Sequence, residues 1–185
     1  MKLLIVDLDG TLFDTKDVNY YAYKEAMLSY GYDLEYQYYC DFCNGKHYTA
    51  FLPQITTKDE SILLAIHNVK KKLYRKYLNK AVLNFGLLDI IRALRKSGYK
   101  TAVVTTASKQ NCDDILNYFD LYDLFDLILT HDDITMSKPD PEGFLQVMEY
   151  FHVKPQDTVI FEDSDVGLEA AERSGAFYYR TYRFN

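Results

Sequence analysis

KLLIVDLDGT, residues 2–11, opens with the unbroken apolar run Leu3, Leu4, Ile5 and Val6. The run is short for a helix and rich in branched side chains, the pattern of a strand buried on both faces. Asp7 and Asp9 stand at its carboxyl end. Side chains two residues apart in an extended backbone point to the same side. Gly10 lets the chain turn and lets a ligand approach closely, and Thr11 adds a hydroxyl. Open α/β sheets bind ligands at the carboxyl ends of their strands, so a site is expected here. Two carboxylates this close repel, and a metal, a shared proton or a cationic neighbour must hold them. Alone, they read equally well as a solvated strand end or as turn residues.

Outward from this strand, residues 14–30 read as a helix. Asp14 or Thr15 can cap it, Tyr20, Tyr23, Ala26, Met27 and Tyr30 recur at helical spacing, and Gly31 ends it. The tyrosine-rich stretch 32–44 follows neither period. Residues 58–78 form a second long helical pattern, with Ile62, Ala65, Ile66, Val69, Leu73 and Tyr77 on one side. Lys70, Lys71, Lys72, Arg75 and Lys76 fall on the other, read as a solvated face. From residue 82 strands and helices alternate. Helices are expected over 87–97, 108–119, 140–151 and 165–174, and strands over 101–105, 126–130, 158–161 and 177–182. That alternation predicts a doubly wound parallel α/β sheet of Rossmann-like form. Residues 14–81 contain no strand run and read as an inserted all-helical domain. The expected division is therefore 1–13 with 82–185 as core, and 14–81 as insertion.

Length and composition bound the rest. The chain has 185 residues, is 48% hydrophobic and 26% charged, and has a formal net charge of −6. That is globular composition for one domain with a modest insertion. The acidic balance argues against nucleic acid as a partner, because phosphate backbones need a basic surface. No apolar run reaches membrane-span length, and Asp7 interrupts the amino-terminal run too early for a signal peptide. A cytoplasmic monomer is expected. Cys40, Cys43 and Cys112 read as reduced thiols. Cys40 and Cys43 form a C-x-x-C with His47 nearby, but no second ligand pair follows at zinc spacing, so packing is the expected role.

Three more polar spots fall at strand ends or in a turn before a helix: Thr105-Thr106, Ser137-Lys138-Pro139, and Glu162-Asp163-Ser164 with Gly167 following. Each alone is weak, since Thr105 and Glu162-Asp163 could cap helices and Lys138 could be a surface lysine. Together they place acids, hydroxyls and one lysine on a single sheet edge.

In these four motifs the chain resembles the haloacid dehalogenase superfamily, in its branch of small phosphatases and β-phosphoglucomutase-like proteins. DLDGT at 7–11, VVTT at 103–106, SKPDPEGF at 137–144 and FEDSDVGLEAA at 161–171 resemble the family's four motifs in order and spacing. The inserted helices resemble the branch's cap domain. The resemblance implies a phosphomonoester hydrolase acting on a small phosphorylated metabolite. Asp7 would be the nucleophile, forming an aspartyl-phosphate, and Asp9 the general acid and then base. It implies Mg2+, with Asp7, the Asp9 carbonyl, Asp163 and Glu162 as ligands, and Thr105, the Thr106 N–H and Lys138 as phosphate contacts. The dehalogenases lack the second acid, since halide leaves without a proton, so Asp9 points to phosphoryl transfer. The mutases carry a histidine early in the first cap helix. Residues 16–23 here have none, which favours hydrolysis over a phosphosugar mutase. A non-catalytic binding protein on the same fold is a third reading, disfavoured by the retained acids and lysine. The cap is expected to gate the site by its motion, and Lys46 or His47, beside Gly45, to contact substrate.

Overall fold

The structure, a computed structural model, describes residues 2–182 and 184. Strand β1 (Leu3–Val6) is followed by the two-residue strand β2 (Phe13–Asp14). Helix α1 (Lys16–Leu28), the single turn α2 (Tyr36–Tyr38), α3 (Tyr48–Ile55) and α4 (Glu60–Leu73) come next. Strand β3 (Val82–Leu83) returns to pair antiparallel with β2. The remainder alternates: α5 (Phe85–Lys96), β4 (Lys100–Val104), α6 (Lys109–Tyr118), β5 (Leu127–Leu129), α7 (Glu142–Tyr150), β6 (Thr158–Glu162), α8 (Asp165–Ser174) and β7 (Phe177–Arg180). The chain divides into two compact units, one running to Asp14 and resuming at Val82, the other spanning Thr15–Ala81. Asp14 falls on the sheet side of this division because it pairs with Val82.

In the first unit the five strands lie in the order β5-β4-β1-β6-β7, and every pair is parallel. β1 is central, registered with Val103 of β4 and Phe161 of β6 opposite Val6. All four of its side chains are fully buried. Leu3 and Ile5 pack with Ala102, Phe144, Val147 and Ile160 in one core cluster. Leu4 and Val6 alternate to the other side of the strand and are equally buried. Burial of each such side chain contributes about 1.5–3 kcal/mol, which explains the unbroken apolar run. Three of the unit's helices, α5, α6 and α8, start where short polar side chains accept from the first-turn backbone: Asn84 from Leu87, Ser108 from Asn111, and Ser164 from Gly167.

The second unit is helical, with no strand among its described residues. Its core is built from Tyr20, Tyr23, Ala26, Met27, Tyr39, Phe51, Leu52, Leu63 and Ile66. The stretch 32–44, without a clear period in sequence, is the turn α2 running into a π-helical turn over Tyr39–Cys43. The long pattern at 58–78 is interrupted: α4 ends at Leu73 and a 3-10 segment, Tyr74–Lys80, continues it. Helix α3, with Pro53 inside it, has too few residues to display a period. Lys70 departs from its expected solvated face. It is buried, with its ammonium 5.1 Å and 5.0 Å from the ring centres of Tyr23 and Tyr74. Aromatic faces offset part of the desolvation of the charge. Cys40, Cys43 and Cys112 are free thiols, and Cys43 packs in this core. No described helix is long and apolar enough to cross a membrane.

Candidate active site

Asp7 follows directly on β1 and is only 5% exposed. Its N–H donates to the Phe161 carbonyl at 3.0 Å, so the ladder with β6 carries on into the site. The chain then turns tightly. The N–H groups of Leu12 and Phe13 donate to the Leu8 carbonyl, and that of Gly10 to the Phe13 carbonyl at 2.7 Å. Gly10 has φ +90°, and a Cβ there would overlap the Asp163 carboxylate. Only glycine serves at this position, on both backbone and space grounds. Asp9 is half-buried in the same turn and bridges to Phe13.

Lys138 arrives from the turn before α7. Its side chain is 6% exposed, and its ammonium donates to Asp7 Oδ1 at 2.6 Å, Glu162 Oε1 at 2.7 Å and the Val104 carbonyl at 3.1 Å. Three acceptors match the three protons of an ammonium. Burial works against its charge, but the two carboxylates outweigh burial and hold its pKa above the ordinary lysine value. The loop that carries Lys138 is itself pinned: the Glu142 carboxylate accepts from the backbone of Thr135 at 2.9 Å and Met136 at 2.6 Å.

Glu162, the last residue of β6, is 1% exposed. Its Oε1 accepts from Lys138, and its Oε2 accepts from the Ser164 N–H at 2.7 Å and the Ser164 hydroxyl at 3.0 Å. With both oxygens engaged, Glu162 orients the lysine and the start of α8. Gly167 makes the arrangement possible, because a Cβ there would overlap the Glu162 carboxylate. Asp163 is half-buried, and its Oδ1 accepts from the Thr11 hydroxyl at 2.9 Å.

Thr105 stands at the end of β4, fully buried, with its N–H donating to the Leu129 carbonyl at 3.0 Å. Its hydroxyl oxygen accepts from the Ala107 N–H at 3.1 Å. Thr106 beside it is exposed. Lys46 and His47 belong to the helical unit. The Lys46 N–H donates to the Cys43 carbonyl, and His47 Nδ1 lies 2.8 Å from the Thr49 hydroxyl at the start of α3.

The electrostatics show a site short of positive charge. Burial pushes the Asp7 carboxyl up to about 8; Lys138 pulls it down, and Glu162 and Asp163 push it further up. Burial likewise raises Asp163, against the pull of the Thr11 hydroxyl. The described residues hold no ready-made cage of three or more His, Cys, Asp or Glu side chains. Two carboxylates, a turn carbonyl and a glycine cradle nevertheless suit a hard cation that keeps water and substrate oxygens in its shell, as Mg2+ does. Cys112 is no competing nucleophile, since burial, with Asp9 and Asp113 adding to it, pushes its thiol up to about 12. A cleft of about 310 Å³ at Arg95, Tyr99, Lys100 and Asp126 opens at the opposite, amino end of β4. Asp126 pairs with both cations there, at 2.7 Å and 3.2 Å.

Sequence reasoning located the acids and the lysine but missed the roles of Gly167 and Thr11. A glycine in the first turn of a helix, where it is a poor helix former, was the available signal.

Comparison with known proteins agrees with this architecture. The family model described as haloacid dehalogenase-like hydrolase matches residues 4–180. A phosphorylated carbohydrates phosphatase of Thermotoga maritima is 29% identical over 181 residues, covering 95% of this chain and 82% of its own. A fructose-1-phosphate phosphatase of Escherichia coli is 28% identical over 175 residues, covering 93% and 92%. Among solved structures, a putative β-phosphoglucomutase from Thermotoga maritima superposes with a TM-score of 0.79 at 27% identity, covering 100% and 88%. CbbY from Rhodobacter sphaeroides in complex with phosphate does so with a TM-score of 0.86 at 23% identity, covering 100% and 87%.

Proposed function

The chain belongs to the haloacid dehalogenase-like hydrolases, and within that family we propose that it is a Mg2+-dependent phosphomonoesterase acting on a small phosphorylated metabolite such as a sugar phosphate. The observation that carries the reading is the buried Asp7, held by Lys138 at 2.6 Å, with Asp9 two residues on in the same turn.

Asp7 attacks phosphorus through a carboxylate oxygen as the ester P–O bond breaks, giving an aspartyl-phosphate. Asp9 gives its proton to the departing oxygen, then takes one from the water that attacks the same phosphorus as its bond to the Asp7 oxygen breaks, freeing the Asp7 carboxylate and inorganic phosphate. Lys138 keeps the Asp7 carboxylate in its attacking orientation and offsets the charge of the phosphoryl group. Thr105 has its hydroxyl proton available for a phosphoryl oxygen, and the Thr106 N–H is assigned the same task. Asp7, the Asp9 carbonyl and Asp163 are the assigned cation ligands, and Mg2+ bound there would stabilise the negative charge on the phosphoryl oxygens. Glu162 is left out of that set and assigned to positioning Lys138. The helical unit is assigned the role of cap, with Lys46 and His47 as candidates for substrate specificity.

The relatives named as phosphatases of sugar phosphates support the substrate class. The likeness to a putative β-phosphoglucomutase keeps a phosphosugar mutase as second reading. Helix α1 argues for hydrolysis, because it carries no histidine and the Asn19 amide, in its first turn, donates to the Thr15 hydroxyl. The test is phosphate release from a panel of phosphorylated metabolites, with Mg2+ and with excess EDTA. Release that requires Mg2+ supports the proposal. Isomerised phosphosugar dependent on a bisphosphate activator would establish the mutase instead, and silence across the panel would overturn both.

A further inference from the structure

Arg180, the last residue of β7, reaches back into the loop between β6 and α8. Its Nη1 donates to the Asp163 carbonyl at 2.9 Å, and its Nη2 donates to the Asp165 carboxylate at 2.6 Å. One guanidinium thus spans the residues on either side of Ser164. The Asp163 carboxylate is held from the other direction by the Thr11 hydroxyl at 2.9 Å. Asp163 is therefore clamped twice, by its side chain from the turn after β1 and by its main chain from β7.

We propose that Arg180 is a positioning residue for the cation site, fixing the Asp163 main chain so that its carboxylate is presented to Mg2+ above Gly10. The proposal rests on the reading of Asp163 as a cation ligand. A site with few protein ligands depends on how well each is oriented beforehand, and groups that hold the ligands govern affinity nearly as strongly as the ligands do. The two acceptors, a carbonyl and a carboxylate, suit the planar fork of arginine, whereas a lysine offers a single point of charge. The pair itself contributes little to folding, since the Arg180 and Asp165 side chains are 39% and 92% exposed. Charge alone predicts the opposite of positioning. Removing a cation from beside a divalent-ion site relieves repulsion and would tighten binding.

The experiment is calorimetric titration of Mg2+ into the full chain, for wild type, Arg180→Ala and Arg180→Lys, with Tm of each measured in EDTA. Arg180→Ala is expected to weaken Mg2+ binding about 10-fold, with Arg180→Lys intermediate and Tm in EDTA nearly unchanged. Binding by Arg180→Ala as tight as wild type, or tighter, overturns the proposal while leaving the cation site standing. Absence of Mg2+ binding by the wild type overturns the cation site and the proposal with it. Should Arg180→Ala fail to fold, Arg180→Met keeps the length of the side chain and removes both hydrogen bonds together with the charge. Weaker Mg2+ binding by that variant supports the proposal, and unchanged or tighter binding overturns it.

Discussion

The Lys138 ammonium lies 2.6 Å from Asp7 Oδ1, although 131 residues separate the two in sequence. Both side chains are almost wholly removed from water. A buried pair of this kind is sensitive to the loss of either partner, because the survivor is left charged and unpaired.

Asp7→Asn should abolish turnover, since an amide is no ionised nucleophile, while the near-isosteric side chain keeps the packing. Asp9→Asn should lower turnover by about 10²–10⁴-fold, the range for loss of a general acid–base group. It should still form phosphoenzyme from substrates whose leaving oxygen needs no proton. Steady-state assays and mass spectrometry of the trapped protein check both. Activity of Asp7→Asn within tenfold of wild type would sink the covalent route.

The Asp7 carboxyl carries a pH signature in the metal-free protein. Its folded-state pKa, about 8, is raised above the ordinary value of 3.8. Between those values the unfolded chain ionises the group more fully than the folded chain, where burial opposes the carboxylate and Lys138 favours it, so unfolding releases protons and stability falls as pH rises. The loss is complete above about 8. Wild type in EDTA should therefore lose stability between about pH 4 and pH 8 more steeply than Asp7→Asn. Parallel Tm curves for the two proteins would show that Asp7 bears no such burden.

Lys138→Ala should cost about 3–5 kcal/mol of stability, the penalty for breaking a buried ion pair. Asp7 and Glu162 would then lie close together with no cation between them. The fall should be larger at pH 8 than at pH 5, where protonation of Asp7 can relieve the repulsion. Urea unfolding at the two pH values measures it, and equal losses would contradict the charge argument.

Gly167→Ala sets two effects against each other. Alanine is the better helix former by about 1 kcal/mol. Its Cβ, however, would meet the Glu162 carboxylate, and overpacking of a tight site typically costs about 1–3 kcal/mol. The clash should win, lowering both Tm and turnover by displacing Glu162 from Lys138. A variant with higher Tm and full activity would mean that Glu162 has room to shift unharmed.

Much of this architecture is written in local patterns. The apolar run at Leu3–Val6, the alternation after residue 82 and the polar residues at strand ends each depend on neighbours within a few positions. A sequence displays such information directly, and from it the parallel sheet, the edge that bears Asp7, Asp9, Thr105 and Lys138, and the helical character of 14–81 could be read, all but Asp14, which pairs with Val82. Contacts between distant residues decided the rest. Lys70 looked solvated because periodicity counts position on a helix and not which face its neighbours cover; Tyr23 and Tyr74 cover it. Residue type alone could not show that the Glu162 oxygens accept from Lys138 and Ser164, the lysine lying 24 residues away and brought there by the fold. Arg180 carried no sequence signal at all, since its partner, the Asp163 carbonyl, is a main-chain atom whose position is set by the pairing of β6 with β7.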